Sequence, residues 1–407
     1  MPSAWAGLAP GASLLASSHR RSRLTALDTA SSYLESAAET TMMLKSLAKL
    51  PGLLPSFALM GALSATSAFA QPTAAPPVPP GPRVNIVAIT QPVPTNTQFT
   101  LVDVPYLRDM AARTGGRLNV TLASHAERNL GGAEIVRLVR SGQAEIGAGT
   151  LSTLSGDVPI LDGVDLSGMA PRIADARRIT EGLMPVANRD LERFGVRLVI
   201  MYPFPAQVLF CRSAFRSLEE LRGRKIRTFG ASLVDLVGSL GAQPVSIGFP
   251  EVYSALERGV VDCAITGTGS GAAARWPEVS SHISDLPLSW AVAGYMVNLA
   301  WWNRLDPAVR AHLEATFHEM SDKLWQLGDE GTRDGIDCNT GNREGCRLNQ
   351  LAPRPMTEVK STPEEAARLR SIFERTVLPN WVGRCGARCG EIYNQVVAPI
   401  SGVRFGG

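Results

Sequence analysis

Histidine is scarce in this chain, five in 407 residues, and none of the five belongs to an H-E-x-x-H pair. His312 and His318 are six apart, off a common helix face, so the commonest helical zinc-hydrolase arrangement is excluded. No G-x-S-x-G is present, and no cysteine has a histidine partner by motif, which leaves a hydrolase without a recognisable nucleophile. Net charge is also small. Of 40 basic and 37 acidic residues, five and three fall within residues 1–70, so the rest of the chain stays near neutrality. Nucleic acid is therefore not expected as the main partner. Beyond residue 70 no run is long and apolar enough to cross a bilayer, and that part is expected to be soluble.

The front of the chain carries the first positive signal. From Met42 it reads MMLKSLAKLPGLLPSFALMGALSATSAFAQ, with Lys45 and Lys49 ahead of a short apolar run and Ala68-Phe69-Ala70 as an A-x-A cleavage site. This is the pattern of a secretory signal over 42–70, cleaved after Ala70, so the mature protein is expected to be exported. Translation is then expected to start at Met42 or Met43, with 1–41 a misassigned extension. The Arg20-Arg21 pair has no apolar run behind it and is not read as an export signal. Residues 71–82, QPTAAPPVPPGP, form a proline-rich spacer.

All six cysteines follow the cleavage site, where disulfides persist. Cys338 and Cys346, and Cys385 and Cys389, are spaced for local disulfide loops; neither pair is C-x-x-C, and no histidine stands near for zinc. Cys211 and Cys263 lie in apolar, strand-like runs and are read as buried free thiols, with mutual pairing as the alternative.

Hydrophobic periodicity gives alternating elements. Strands are expected at 83–90, 117–123 and 144–150 and helices at 97–116 and 132–142, so the chain opens β-α-β-α-β. That order implies an α/β fold with a mostly parallel sheet flanked by helices. A long helix follows over 172–194, then strands at 196–202 and 207–213. Ser217 and Glu220 form a capping-box pattern for a short helix. Helices at 232–242 and 249–259 and a strand at 260–266 continue the α/β pattern. Asp306-Pro307 and Thr362-Pro363-Glu364-Glu365 open C-terminal helices by cap and N1 proline. GTGSG, 267–271, lacks the P-loop lysine and is read as a flexible loop lining a cleft.

The run from FRSLEELRGRKIRT through LGAQPVSIGFPEVYSALERGVVDCA, residues 215–264, resembles the DctP-like extracytoplasmic solute-binding subunit of tripartite ATP-independent periplasmic (TRAP) transporters. TGGRLNV, GAEIVRLVRSGQAEIGAG and VNLAWWNRLDPAVRAHLEA extend the likeness over most of 83–400. The resemblance implies a two-lobed periplasmic binding protein fold, with mixed sheets flanked by helices and crossing hinge strands. One lobe would take 83–205 and about 293–330, the other 206–292 and about 331–400. It implies a small organic acid as ligand, TRAP membrane permease subunits as partners, no enzymatic reaction and no cofactor. A receptor for an ABC permease or a signalling protein is the alternative, and a periplasmic hydrolase a more distant one.

By the same resemblance Arg227 takes the position of the arginine that forms a two-pronged salt bridge to the ligand carboxylate. Strand alternation independently sets Arg227 on the face opposite Ile226, whereas Arg222, Arg224 and Lys225 surround a turn. Guanidinium also has the fixed fork that matches a carboxylate. The competing reading is an internal ion pair with an Asp or Glu. Phe249 aligns with a residue packing on the ligand, core packing being the alternative, and Thr266 stands where relatives carry a ligand-bonding asparagine. Gln207 replaces a second arginine found in some sialic-acid-binding members, which argues against that ligand. Trp290 and Tyr295 lie in the segment expected to return across the hinge, where they would line either the cleft or the core. Asp262 is read as structural, because a carboxylate repels an acidic ligand.

Overall fold

A computed structural model describes residues 75–406; the expected signal and cleavage site, and the extension before them, lie outside the described residues. Its strands fall into two mixed sheets. In chain order the main elements are β1 (Val84–Thr90), β2 (Leu118–Ser124), α1 (Gly132–Ser141), β3 (Ile146–Thr150), α2 (Ile173–Leu191), β4 (Val196–Tyr202), β5 (Gln207–Cys211) and β6 (Lys225–Thr228). They are followed by α3 (Ala231–Ser239), β7 (Gln243–Ser246), β8 (Cys263–Gly267), α4 (Thr268–Ala273), β9 (His282–Ser284), β10 (Ala293–Asn298), α5 (Pro307–Thr340) and β11 (Thr357–Val359).

The first sheet has the order β2-β1-β3-β10-β4. The opening β-α-β-α-β run makes β1 parallel to both β2 and β3, because each connection carries the chain back to the same end of the sheet. The sheet becomes mixed because β10 returns late and inserts antiparallel between β3 and β4. The second sheet has the order β11-β9-β5-β8-β6-β7, with β6 parallel to β7 and β8 and β5 antiparallel to β8. This is the two-lobed α/β architecture with mixed, helix-flanked sheets.

Two segments cross between the sheets side by side, residues 203–206 and 285–292. Phe204 N–H donates to Trp290 O at 2.9 Å, and Gln207 N–H donates to Ser289 O at 2.8 Å. The 34-residue α5 runs past this crossing. Glycines on one of its faces permit the approach: a Cβ on Gly328 would stand 2.6 Å from Pro203, and one on Gly335 2.4 Å from Thr268. Asp306 caps α5 by accepting from Ala308 N–H, and Thr362 opens Pro363–Ile372 through the expected capping box. The helical segments from 363 to 401 pack against both α2 and α3.

Four local expectations are corrected. Residues 97–116 do not form one α-helix. Phe99–Arg108 is wound as a π-helix around Pro105, whose ring nitrogen has no hydrogen to give, and a short turn Met110–Arg113 follows. Ser217 does not cap: Leu218–Leu221 is a 3₁₀ turn, and Glu220 accepts from Arg216 N–H instead. GTGSG is helical and not a flexible loop, because residues 268–271 belong to α4, buried against α5, with Thr268 Oγ1 donating to Gly331 O, although Ser270 does line the cleft. Cys211 and Cys263 are not free thiols. They face each other across the antiparallel β5–β8 pair and form a disulfide, a consequence of register that no local sequence pattern carries. Cys338–Cys346 and Cys385–Cys389 are also bridged. The former begins inside α5, and Asp334 ties the returning segment by accepting from Leu348 N–H at 2.8 Å.

Candidate functional site

Parallel strands present their carboxyl ends, and the loops that follow them, on one side of each sheet, where α/β folds bind ligands. A cavity of ≈ 700 Å³ lies there, walled on one side by the first sheet and its loops and on the other by the second. From the first sheet come Gln91 after β1, His125 after β2, Ala148–Thr150 on β3, Tyr202 at the end of β4, and Leu130–Glu134 leading into α1. From the second come Gln207 on β5, Arg227 on β6, Phe229–Ala231 leading into α3, Ser246–Pro250 after β7, and Thr266 on β8. Much of the surface is apolar, with Phe204, Phe229, Val234, Ile247 and Phe249 among the walls.

Arg227 is 3 % exposed. Its Nε donates to Ile247 O at 3.0 Å and its Nη1 to Ile265 O at 2.8 Å. The guanidinium carbon stands 5.1 Å from the Phe229 ring centre and 6.0 Å from that of Phe249, within cation–π range. Among the described residues no carboxylate pairs with it, so the internal ion pair is not formed here. Burial alone pulls the guanidinium down to about 9, which leaves it charged at neutral pH. The carbonyls hold its plane, and among the described residues Nη2 has no hydrogen-bond partner. Its neighbours are spent elsewhere: Arg222 and Lys225 are exposed, and Arg224 donates to Ala214 O.

Phe249 is half-buried, lines the cavity and stacks on Trp276 at 5.7 Å, so packing and lining coincide in one ring. Thr266 and Gln207 also line the cavity; Gln207 Nε2 donates to Pro205 O at 2.9 Å, which orients its amide. Trp290 and Tyr295 are not brought to the cavity. Trp290 turns its ring into the core, Nε1–H donating to Ala170 O at 2.8 Å, while its backbone N–H donates to the Asp165 carboxylate at 3.0 Å. Tyr295 points into the first sheet's core and donates to Asp103. The two rings go to different cores: Trp290, ahead of β10, packs in the cluster that holds Ala170, and Tyr295, on β10, packs in the one that holds Phe317. Asp262 accepts from Lys225 N–H at 2.8 Å and stays off the cavity, a structural contact as expected.

Residues that the sequence reasoning passed over are His125, Gln91, Tyr202 and Phe229. His125 entered it only as evidence against catalysis. Its position just after the second strand of a parallel pair is the signal that marks it, because strand ends of this kind face the cleft.

The model of the bacterial extracellular solute-binding proteins, family 7 (DctP), matches residues 92–353. This chain belongs to that family. The DctP family is one of solute-binding receptors and not of enzymes, and the sequence resemblance to TRAP solute-binding subunits stands. The chain is 25 % identical over 133 residues to the C4-dicarboxylate-binding periplasmic protein DctP of Rhodobacter capsulatus, covering 32 % of this chain and 40 % of that protein. It is 22 % identical over 214 residues to an uncharacterised protein of Haemophilus influenzae, covering 50 % and 62 %. It thus spans less than two thirds of the length of these curated relatives.

Among solved structures, an extracytoplasmic solute receptor of Bordetella pertussis binding pyroglutamic acid superposes with a TM-score of 0.67 at 20 % identity, covering 78 % of this chain and 99 % of the receptor. A TRAP periplasmic solute-binding protein of Rhodoferax ferrireducens with bound malonate gives 0.66 at 17 %, covering 77 % and 98 %. One from Desulfovibrio salexigens with bound orotic acid gives 0.67 at 15 %, covering 78 % and 99 %. These likenesses establish the fold. Among the described residues no helix is long and apolar enough to cross a membrane.

Proposed function

We propose that this DctP-family protein captures a small organic acid in the cavity between its lobes, in the periplasm, and delivers it to the membrane subunits of a TRAP-type transporter. The observation that carries the reading is Arg227, a guanidinium buried beside a cavity, held in plane by two carbonyls and lacking an anionic partner. An unpaired buried charge costs several kcal/mol, and a carboxylate in the cavity offsets that cost with a charge-assisted bond. The positive end of α3, which starts beside Arg227, favours the same charge. Thr266 and Gln207 would bond the rest of the ligand's polar edge, and Phe249 and Phe229 its faces. In this reading the lobes approach about residues 203–206 and 285–292, and a ligand touching both walls favours the closed form by its differential affinity. The relatives with pyroglutamic acid, malonate and orotic acid support a carboxylate as the recognised group.

The test is a thermal-shift screen of wild type and Arg227→Ala against mono- and dicarboxylates. An acid present at about one hundred times its Kd should stabilise the wild type by roughly 2.7 kcal/mol and leave the variant unmoved. Equal shifts in both proteins would sink the clamp role.

A further inference from the structure

The two walls of the cavity differ in polarity. Among the described lining residues Arg227 is the one cation and Glu134 the one anion. Glu134 sits at the first turn of α1, where its carboxylate accepts from Gly131 N–H at 2.7 Å. The positive end of that helix is thereby answered by the chain itself, and a second ligand carboxylate on this wall would find a negative charge and no counter-ion.

His125, on the same wall, is 6 % exposed. Its Nε2 lies 2.8 Å from Ala148 O, and a carbonyl can only accept, so Nε2 carries the hydrogen. Nδ1 is left as a lone-pair acceptor with no partner among the described residues. Burial lowers the imidazole's affinity for a second proton, which keeps that lone pair available. The same cavity is also lined by the apolar side chains Phe204, Phe229, Val234 and Phe249.

We propose that the ligand is a monocarboxylate with an apolar body and an uncharged O–H or N–H donor at the end away from the carboxylate, and that Nδ1 of His125 accepts from that donor. His125 is then a specificity-determining residue, and the ligand touches both walls. This inference rests on the carboxylate reading above. It excludes short diacids, whose second charge would be buried unpaired.

Calorimetric titration of the full mature chain with two probe sets tests it: benzoate, para-hydroxybenzoate and terephthalate; and cyclohexanecarboxylate with its trans-hydroxy and dicarboxylate analogues. In at least one set the hydroxy acid should bind about tenfold tighter than the unsubstituted acid, the size of one hydrogen bond made in a buried site. The diacid should bind about a hundredfold more weakly than the hydroxy acid, or not measurably. His125→Phe should erase the preference for the hydroxyl, while His125→Asn, which keeps an acceptor near the Nδ1 position, should retain it; the melting temperature of each ligand-free variant reports its folding. A preference that survives in His125→Phe overturns the proposal, as does a diacid bound as tightly as its hydroxy partner. If none of these monocarboxylates binds but malonate or succinate does so in an Arg227-dependent way, the carboxylate reading stands and this inference falls. If no acid of any kind binds, both fall.

Discussion

The two lobes treat buried charge in opposite ways. In the first, Asp103 and Asp165 are buried carboxylates whose partners are all internal: Asp103 accepts from Thr90 Oγ1 and Tyr295 Oη, Asp165 from Trp290 N–H and Val292 N–H. In the second, Arg227 meets two carbonyls and no carboxylate. Desolvation acts on both, pushing each aspartate up to about 7 and the arginine down to about 9. The difference lies in the partners. A buried charge answered from within holds the fold together, whereas one left partly unanswered beside a cavity is the basis of the proposal that a ligand carboxylate pairs with Arg227. The lobes also differ covalently: Cys211–Cys263 ties β5 to β8 in the second sheet, and the strands of the first sheet contain no cysteine.

The covalent difference gives the largest expected effect on stability. The bridge closes a long loop, so replacing both residues, Cys211→Ala with Cys263→Ala, should cost about 2–4 kcal/mol. Urea denaturation under oxidising conditions reads it, and an unchanged midpoint would mean that the second sheet holds without its cross-link. The next effect, spread over a pH window, is expected at Asp103. Because its folded pKa lies above the unfolded value, the native state holds that proton more tightly. The stabilisation is complete below about pH 4 and is lost as pH rises toward about 7. The stability advantage of wild type over Asp103→Asn should therefore grow as pH falls through that window, at no more than about 1.4 kcal/mol per unit. A flat difference across the window would show that Asp103 does not take up a proton there. The smallest effect separates the walls themselves. Thr266→Val on the second wall removes a hydroxyl without changing volume much and should weaken acid binding by about tenfold or less. Equal loss from Thr150→Val on the first wall would blur the contrast between them.

Much of this was legible without coordinates. The three opening strands, the helix at 132–141, the cap at Asp306 and the capping box at Thr362 are local patterns that formed close to where the sequence predicts, whereas the helix expected over 97–116 did not form as one. Arg227 was also legible, since strand alternation beside Ile226 and the family motif both single it out, and the structure sets it in the cavity with Phe249, Thr266 and Gln207. Trp290 and Tyr295 were not, because an aromatic residue in an apolar run fits cleft or core equally, and only tertiary contacts chose the core: Ala170 and Asp165 for Trp290, Phe317 and Asp103 for Tyr295. His125 escaped for a related reason: a lone histidine at a strand end has no spacing to give it away.

What the sequence determined by itself is what short-range chemistry controls: the class of most elements, the helix caps at Asp306 and Thr362, the one basic residue of its segment that is buried, and the family. The tertiary structure decided the rest. It paired Cys211 with Cys263, set β10 antiparallel inside the first sheet, wound 99–108 more widely around Pro105, and made one cavity from a cation on one lobe and a lone-pair acceptor on the other. Each of these depends on register or on contacts between residues far apart in the chain, which local pattern does not encode.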